Sequence, residues 1–259
     1  MKLGCFGNTG QIREIEKAGF DFAELDICEL VSLSEEEFEE FRAGACAGGL
    51  SYDVFSGLLP LSLRLYEPSF DEEYWLEHIE TGAMRASKMG ALLIPFGAGK
   101  CRSIPEGLEG RREECEKKLI GFVQKICNIF RRYHMILAIE PLGRRNSNFL
   151  NTIEETAEFA HRTGCGNCRI MCDLRHMTCS GEEPGVIQKY ADDIVHAHID
   201  YPAGRRRLFP NRRDGFDYLP YLQALKEAEY KGRLTIEAAD YDDFLAEASE
   251  GCRYIRGLL

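Results

Sequence analysis

The sequence contains neither a long apolar run nor a visible break between domains. No apolar stretch approaches the roughly 20 residues of a membrane-spanning helix, which argues against an integral membrane protein. The first residues, MKLGCFGNTGQI, lack the apolar core of about 7–15 residues that marks a signal peptide, so a cytoplasmic location is the expectation. No Ser-, Gly- or Pro-rich linker divides the chain. We therefore predict a single domain over residues 1–259, a length that allows a sizeable core.

Positive charge is scarce as well. The chain carries 32 Lys and Arg against 43 Asp and Glu, a formal net charge of −11. Proteins whose main partner is a nucleic-acid backbone usually present a basic surface, so this balance argues against a nucleic-acid partner. The 11 cysteines are an odd number in a chain without a recognisable secretion signal. This combination indicates reduced thiols and not a disulfide framework.

Four of the cysteines are closely spaced. Cys165, Cys168, Cys172 and Cys179 follow the pattern C-x2-C-x3-C-x6-C, with His161 just upstream. Short thiolate spacings suit a zinc or iron–sulfur site. However, Cys172 falls inside the apolar run RIMCD, and cysteine is among the most frequently buried residue types. Buried or incidental thiols are therefore the favoured interpretation, with a metal cluster as the alternative.

Eight apolar segments alternate with helical patterns along the chain. The segments that predict strands are residues 2–6, 20–27, 50–55, 91–96, 135–140, 169–173, 194–199 and 234–237. Such alternation predicts a parallel sheet, and eight units of roughly 32 residues favour closure into a (β/α)8 TIM barrel over an open sheet. No glycine-rich dinucleotide fingerprint follows the first segment, which weakens the doubly wound alternative further.

Ionisable residues follow or end four successive predicted strands. The fifth strand ends on Glu140, where Pro141 stops the ladder, and the next three bring Asp173, His198 and Glu237 to their carboxyl ends. In a TIM barrel these ends meet on one face, where the chemistry is located. Four such groups close together need a common partner, since isolated buried charges are costly.

The donor set predicts one divalent metal ion. Two Glu, one Asp and one His form a hard, oxygen-rich set that suits Mn²⁺ or Mg²⁺ and also accepts Co²⁺ or Zn²⁺. We favour Mn²⁺. His198 lies nearer the end of its strand than His196 and is the predicted ligand. His196 shares its face by the period of two, so it is either a partner of a ligand or a packed core histidine.

Five short motifs lie at the predicted strands: GFDFAEL (19–25), AIEPLG (138–143), CDLRHM (172–177), HAHID (196–200) and LTIEA (234–238). With these motifs the chain resembles the xylose isomerase-like TIM barrels, which include sugar-phosphate isomerases, ketose 3-epimerases, inosose dehydratases and the endonuclease IV branch. The motifs occur in the order of that family's successive strand ends, and the resemblance extends over nearly the whole chain.

The resemblance implies roles for individual residues. Glu140, Asp173, His198 and Glu237 would be the metal ligands, and His176, three residues after Asp173, would reach the oxygens of a carbohydrate substrate. The nuclease branch needs additional histidines for a three-zinc cluster. The third and fourth strands here end in YDVF and PF and contain no histidine, and Asp214 is followed by Gly215 and Phe216 where a D-x-H motif is expected. A repair nuclease is therefore disfavoured.

The expected chemistry is proton transfer. A divalent ion that chelates a carbonyl and the adjacent hydroxyl acidifies the neighbouring carbon-bound proton and stabilises the enediolate. Glu140 and Glu237 are the predicted catalytic base and acid. Epimerisation and aldose–ketose isomerisation are both compatible with these ligands. The alternatives are an inosose-type dehydratase on the same barrel and a non-catalytic sugar-binding barrel, and the presence of both glutamates speaks against the latter.

Arginines are concentrated after the seventh strand. Arg205, Arg206, Arg207, Arg212 and Arg213 lie within ten residues of an otherwise acidic chain. Guanidinium groups at the barrel mouth would suit a phosphate or carboxylate on the substrate. The resembled family often places one arginine here to contact the substrate, and by spacing from His198 the resemblance implies Arg205 as the substrate-binding residue. A solvated loop or a contact between copies of the chain in a homo-oligomer is the alternative.

Overall fold

Eight parallel strands close into a barrel in the computed structural model, which describes residues 1–259. The strands are β1 (Lys2–Gly7), β2 (Phe22–Asp26), β3 (Ser51–Ser56), β4 (Leu93–Phe96), β5 (Ile136–Ile139), β6 (Cys168–Asp173), β7 (Ile194–Ile199) and β8 (Arg233–Ile236). They follow one another around the barrel in sequence order, and β1 pairs with β8 to complete it. The predicted TIM barrel is thus confirmed.

Eleven α-helices connect and cover the strands. They are α1 (Ile12–Ala18), α2 (Ile27–Ser32), α3 (Glu35–Cys46), α4 (Glu72–Met89), α5 (Gly99–Arg102), α6 (Arg112–Arg132), α7 (Ile153–Arg162), α8 (Leu174–Ser180), α9 (Val186–Lys189), α10 (Leu219–Glu227) and α11 (Phe244–Leu258). Local sequence sets several of their ends: Ser34 and Glu37 form the expected capping box of α3. No helix combines the length and the apolar character needed to cross a membrane.

Two stretches differ from the sequence-based expectation. The predicted second strand continued through Ile27, but the carboxylate of Asp26 accepts a hydrogen bond from the backbone N–H of Cys28 at 2.7 Å and starts helix α2 there. Between the fourth predicted strand and the next helical pattern, the sequence predicts a loop over residues 97–110, but this stretch contains the short helix α5, whose last residue, Arg102, is fully buried.

The barrel interior is filled in layers. A small apolar cluster is formed by one residue from each of five strands: Phe22, Val54, Leu93, Ala138 and Met171. The ring of Phe22 occupies the space beside Gly4 that a side chain on β1 would need. Further along β2 and on the same face, Glu24 is completely buried. The interior therefore changes from apolar to ionisable along the strands toward their carboxyl ends.

Arg102 joins the ends of neighbouring strands. Its guanidinium donates to the carbonyl oxygens of Phe96 at 3.1 Å, Leu150 at 3.4 Å and Glu140. Burial lowers the pKa of Arg102 to about 10, so it still carries its charge at neutral pH. These contacts fix the backbone at which Glu140 leaves β5.

Candidate metal centre

Four ionisable side chains converge at the carboxyl ends of β5 to β8. Glu140, Asp173, His198 and Glu237 each offer one ligand atom, and these atoms all lie within 4.8 Å of one another. The first three residues are at most 6% exposed. These are the four residues that the sequence analysis selected as metal ligands, and the barrel brings them together.

Strand register sets their positions. Asp173 lies directly beside His198 in the pairing of β6 with β7, and β7 continues in register with β8 up to the residue before Glu237. One carboxylate oxygen of Asp173, Oδ1, accepts the backbone N–H of His176 at 2.8 Å and caps helix α8. The other, Oδ2, lies 3.7 Å from Nδ1 of His198. The hydrogen bond that caps α8 therefore orients the carboxylate of Asp173, so that its Oδ2 faces His198.

His198 has different partners on its two ring nitrogens. Nδ1 lies 3.2 Å from Glu237 Oε2 and 3.9 Å from Glu140 Oε1. Nε2 lies 3.1 and 3.2 Å from the two carboxylate oxygens of Glu24. Burial opposes the charged ring, but Glu24 and the neighbouring carboxylates raise the pKa of His198 to about 9. A carboxylate on the far nitrogen fixes the ring and leaves Nδ1 facing the other three ligands.

Glu24 is the centre of a buried hydrogen-bond network. Besides His198, its carboxylate contacts His196 Nε2 at 3.0 Å, the hydroxyl of Thr235 at 2.6 Å and the hydroxyl of Ser56. Burial alone would raise the pKa of Glu24, but the two histidines hold it well below its ordinary value. His196 is therefore a hydrogen-bonded interior histidine that acts on the site through Glu24.

The two glutamates differ in their surroundings. Glu140 Oε1 is buried and has no hydrogen-bond partner. Glu237 is partly exposed, and its carboxylate forms an ion pair with the guanidinium of Arg207. Arg207 also lies 3.2 Å from Nε2 of His176, through its second terminal nitrogen. A buried carboxylate oxygen without a hydrogen bond, beside three further candidate ligand atoms, fits a divalent cation.

The two predicted substrate-binding residues, His176 and Arg205, differ in their position relative to the site. His176 is 2% exposed and lines the same cavity as Glu140 and Glu237, a space of about 490 Å³ that we call the metal cavity. Arg205 is exposed and does not line it.

The four closely spaced cysteines do not converge. Cys172 lies 3.3 Å from the hydroxyl of Tyr221 and Cys179 is exposed. No convergent group of three metal-binding side chains includes any cysteine, so the geometry gives no support to the alternative of a cysteine cluster.

Sequence reasoning missed two residues that shape the site. Glu24 was recognised only as part of the second strand, although a lone carboxylate between apolar neighbours in GFDFAEL was a usable signal. Arg207, two residues beyond the arginine chosen by spacing, contacts both Glu237 and His176. Nothing in a run of three arginines indicates which one faces inward.

Gly97 offers a test of the position of Glu140. A β-carbon at Gly97 would overlap Oε2 of Glu140, and the backbone there does not require glycine. We expect Gly97→Ala to displace this carboxylate and to weaken divalent metal binding about 10–100-fold, as for loss of a residue that orients a ligand. Calorimetric titration with Mn²⁺ measures the effect.

The matched control is Gly44→Ala, in helix α3, where an added β-carbon meets no neighbour within 4 Å. This control should keep full affinity and gain about 0.5–1 kcal/mol of stability. Equal affinities of the two variants would contradict the placement of Glu140 at the metal.

Comparison with known proteins relates this geometry to a family. The family model described as xylose isomerase-like TIM barrel matches residues 12–258. The chain belongs to this family. The resemblance inferred from the strand-end motifs is therefore confirmed.

Two curated relatives match part of the chain. A probable ketose 3-epimerase from Synechocystis sp. is 29% identical over 119 residues, which are 46% of this chain and 40% of that protein. A D-psicose 3-epimerase from Enterocloster bolteae is 31% identical over 109 residues, 40% of this chain and 33% of that protein. Each match thus spans less than half of the relative's length.

A solved structure extends the similarity in fold to the whole chain. The D-psicose 3-epimerase from Clostridium cellulolyticum H10, determined with D-tagatose, superimposes with a TM-score of 0.84 at 19% identity and covers 100% of this chain and 99% of its own. The family barrel is therefore present here from end to end.

Proposed function

We propose that this protein is a divalent-metal-dependent isomerase that epimerises a ketose at the carbon next to its carbonyl, as a ketose 3-epimerase does. The observation that carries the proposal is the convergence of Glu140, Asp173, His198 and Glu237. Three of them also line the metal cavity. The partial sequence matches to two ketose 3-epimerases support the same reaction class.

These four residues would hold one divalent ion. Mn²⁺ is the first choice for three carboxylates and one imidazole, with Mg²⁺, Co²⁺ and Zn²⁺ as alternatives. When bound, such an ion would polarise the carbonyl of a ketose and the hydroxyl on the neighbouring carbon. It would so acidify the proton on that neighbouring carbon.

Glu140 and Glu237 are the proposed base and acid. They follow β5 and β8, which are three strands apart around the barrel, so their carboxylates reach the cavity from different directions. One glutamate removes the carbon-bound proton and the other returns a proton to the opposite face, which inverts the carbon. Arg207 pairs with the carboxylate of Glu237 and so helps to position it at the cavity.

Other residues of the metal cavity would position the sugar. His176 and Arg207 present ring nitrogen and guanidinium groups to the substrate's oxygens. Apolar side chains also line the cavity: Phe6, Leu58, Leu59, Pro60, Leu61 and Leu142. Such apolar lining would help to exclude water from the reacting carbon.

Proton exchange tests the proposal. Metal-free protein is titrated with Mn²⁺, and D-fructose, D-psicose and D-tagatose are then incubated with the loaded protein in D₂O and followed by NMR and mass spectrometry. We expect about one ion per chain, deuterium at C3 and the C3 epimer as product. Deuterium at C2 of an aldose product, with deuterium at C1 of the recovered ketose, would indicate aldose–ketose isomerisation, and loss of one water would indicate a dehydratase. Failure to bind any divalent metal would overturn the proposal.

A further inference from the structure

A second cavity adjoins the metal cavity. It measures about 480 Å³, and we call it the basic cavity because no acidic side chain lines it. Its lining residues are Arg145, Asn146, Arg175, His176, Cys179, Gly204, Arg205 and Arg207. Asn146, His176 and Arg207 line both cavities, so the two cavities adjoin at these residues.

The four arginines of the basic cavity are not equally neutralised. Arg175 pairs with Asp200 and Arg207 pairs with Glu237. Arg145 and Arg205 are exposed, and neither forms an ion pair with a carboxylate of this chain. Both guanidinium groups are therefore available to an anion that enters the basic cavity.

The loop that carries Arg205 is held in place by Arg175, a buried residue of α8. Arg175 is 6% exposed, and its guanidinium donates to Asp200 Oδ2 at 2.7 Å and to the carbonyl oxygen of Arg206 at 2.7 Å. It also donates to the carbonyl oxygen of Tyr201. The backbone on both sides of Arg205 is thus fixed by a buried charge. Arg205 is therefore presented at a defined place, which reduces the entropy lost when it binds an anion.

His176 lies at the boundary between the two cavities. It is 2% exposed and lines both of them. Its Nε2 faces Arg207 at 3.2 Å and Glu140 at 3.7 Å. An oxygen of a ligand that extends from one cavity into the other would meet this nitrogen.

We propose that the substrate is a ketose with an anionic group, a phosphate ester or a carboxylate, at the end remote from its carbonyl. The carbonyl end binds in the metal cavity and the anion binds Arg145 and Arg205 in the basic cavity. Guanidinium groups recognise both anions through paired, charge-assisted hydrogen bonds. This inference rests on the proposed function, since it places the reacting end of the substrate at Glu140 and Glu237.

Three substrates that differ only at C6 test it. D-fructose, D-fructose 6-phosphate and D-fructuronate carry a neutral hydroxyl, a phosphate and a carboxylate, and kcat/KM for C3 epimerisation by the Mn²⁺-loaded protein is measured by NMR. We expect at least one anionic ketose to exceed D-fructose by about 100-fold, for two charge-assisted hydrogen bonds. The anionic ketose with the higher kcat/KM shows whether the site prefers a phosphate ester or a carboxylate.

Variants then locate the effect. Arg145→Gln and Arg205→Gln should each reduce kcat/KM for the preferred anionic ketose about tenfold, mainly through KM, because the lost contact lies away from the reacting carbon. Arg212→Gln and Arg213→Gln make the same charge change on exposed side chains of the same loop that line neither cavity. These controls should match the wild type.

The outcomes separate the two proposals. Equal kcat/KM for neutral and anionic ketoses, with Arg145→Gln and Arg205→Gln unchanged, would overturn the anionic substrate and leave the epimerase in place. Equal losses in all four arginine variants would mean that general charge attraction, and not a binding site, selects the substrate. Absence of C3 exchange with every ketose would overturn both proposals.

Discussion

Glutamine in place of Glu140 or Glu237 is expected to slow epimerisation by about 10²–10⁴-fold. Glutamine keeps the shape of the side chain and one carbonyl oxygen for a metal, but it neither accepts nor returns a proton at neutral pH. Both variants should therefore lose C3 deuterium exchange while they retain the fold. NMR of a ketose in D₂O measures the exchange, at Mn²⁺ concentrations high enough to saturate each variant.

Glu158→Gln is the matched control, because Glu158 is an exposed residue of α7 that lines neither cavity. It should exchange at the wild-type rate. Metal content is determined for all three variants, so that loss of proton transfer is separated from loss of the ion. If either active-site variant retained more than about a tenth of wild-type exchange when metal-saturated, that glutamate would not be part of the acid–base pair.

Metal affinity should rise steeply with pH. His198 has a pKa of about 9 in the metal-free protein, so at neutral pH the ion must displace a proton from the ring. We expect the association constant for Mn²⁺ to increase about tenfold per pH unit, or about 100-fold between pH 6 and pH 8. Calorimetry in buffers of different ionisation enthalpy reports the proton released.

The raised pKa of His198 has the opposite effect on the stability of the metal-free protein, which it lowers as pH rises. A histidine in the unfolded chain has a pKa of about 6.5, so protonation of His198 stabilises the folded state. This contribution is fully present below about pH 6.5 and is lost as pH rises through about 9. The increase in melting temperature on adding Mn²⁺ should therefore grow across this range.

Glu24→Gln serves as the comparison, because Glu24 does most to raise the pKa of His198 against the opposing effect of burial. It should weaken Mn²⁺ binding about 10–100-fold and reduce its pH dependence. A wild-type association constant that did not change between pH 6 and pH 8 would contradict a protonated His198 at the metal centre.

The sequence predicted the barrel and the converging strand ends because both depend on local, repeated patterns. The run MILAI before Glu140 and Pro141 has the composition of a strand buried on both faces, and Pro141 marks its end. Strand order in a closed parallel barrel then determines that Asp173, His198 and Glu237 meet Glu140.

What escaped prediction depends on contacts between residues far apart in sequence. Glu24 and His198 are separated by 174 positions, and only closure of the barrel shows that they touch. The inward arginine of the loop after β7 is Arg207, while Arg205 borders only the basic cavity. The path of that loop depends on Arg175, a residue of another element, and no local pattern encodes it.

The clamp formed by Arg175 bears on how this barrel could be re-engineered. The shape of residues 200–207 is held by a side chain from α8, which supplies bonds to Asp200, Tyr201 and Arg206. A graft of this loop onto another barrel would therefore need the arginine of α8 as well, or the loop would lose its conformation. Loop and helix form one unit, which is tied to the candidate metal ligands where Asp173 caps α8 and where Arg207 pairs with Glu237.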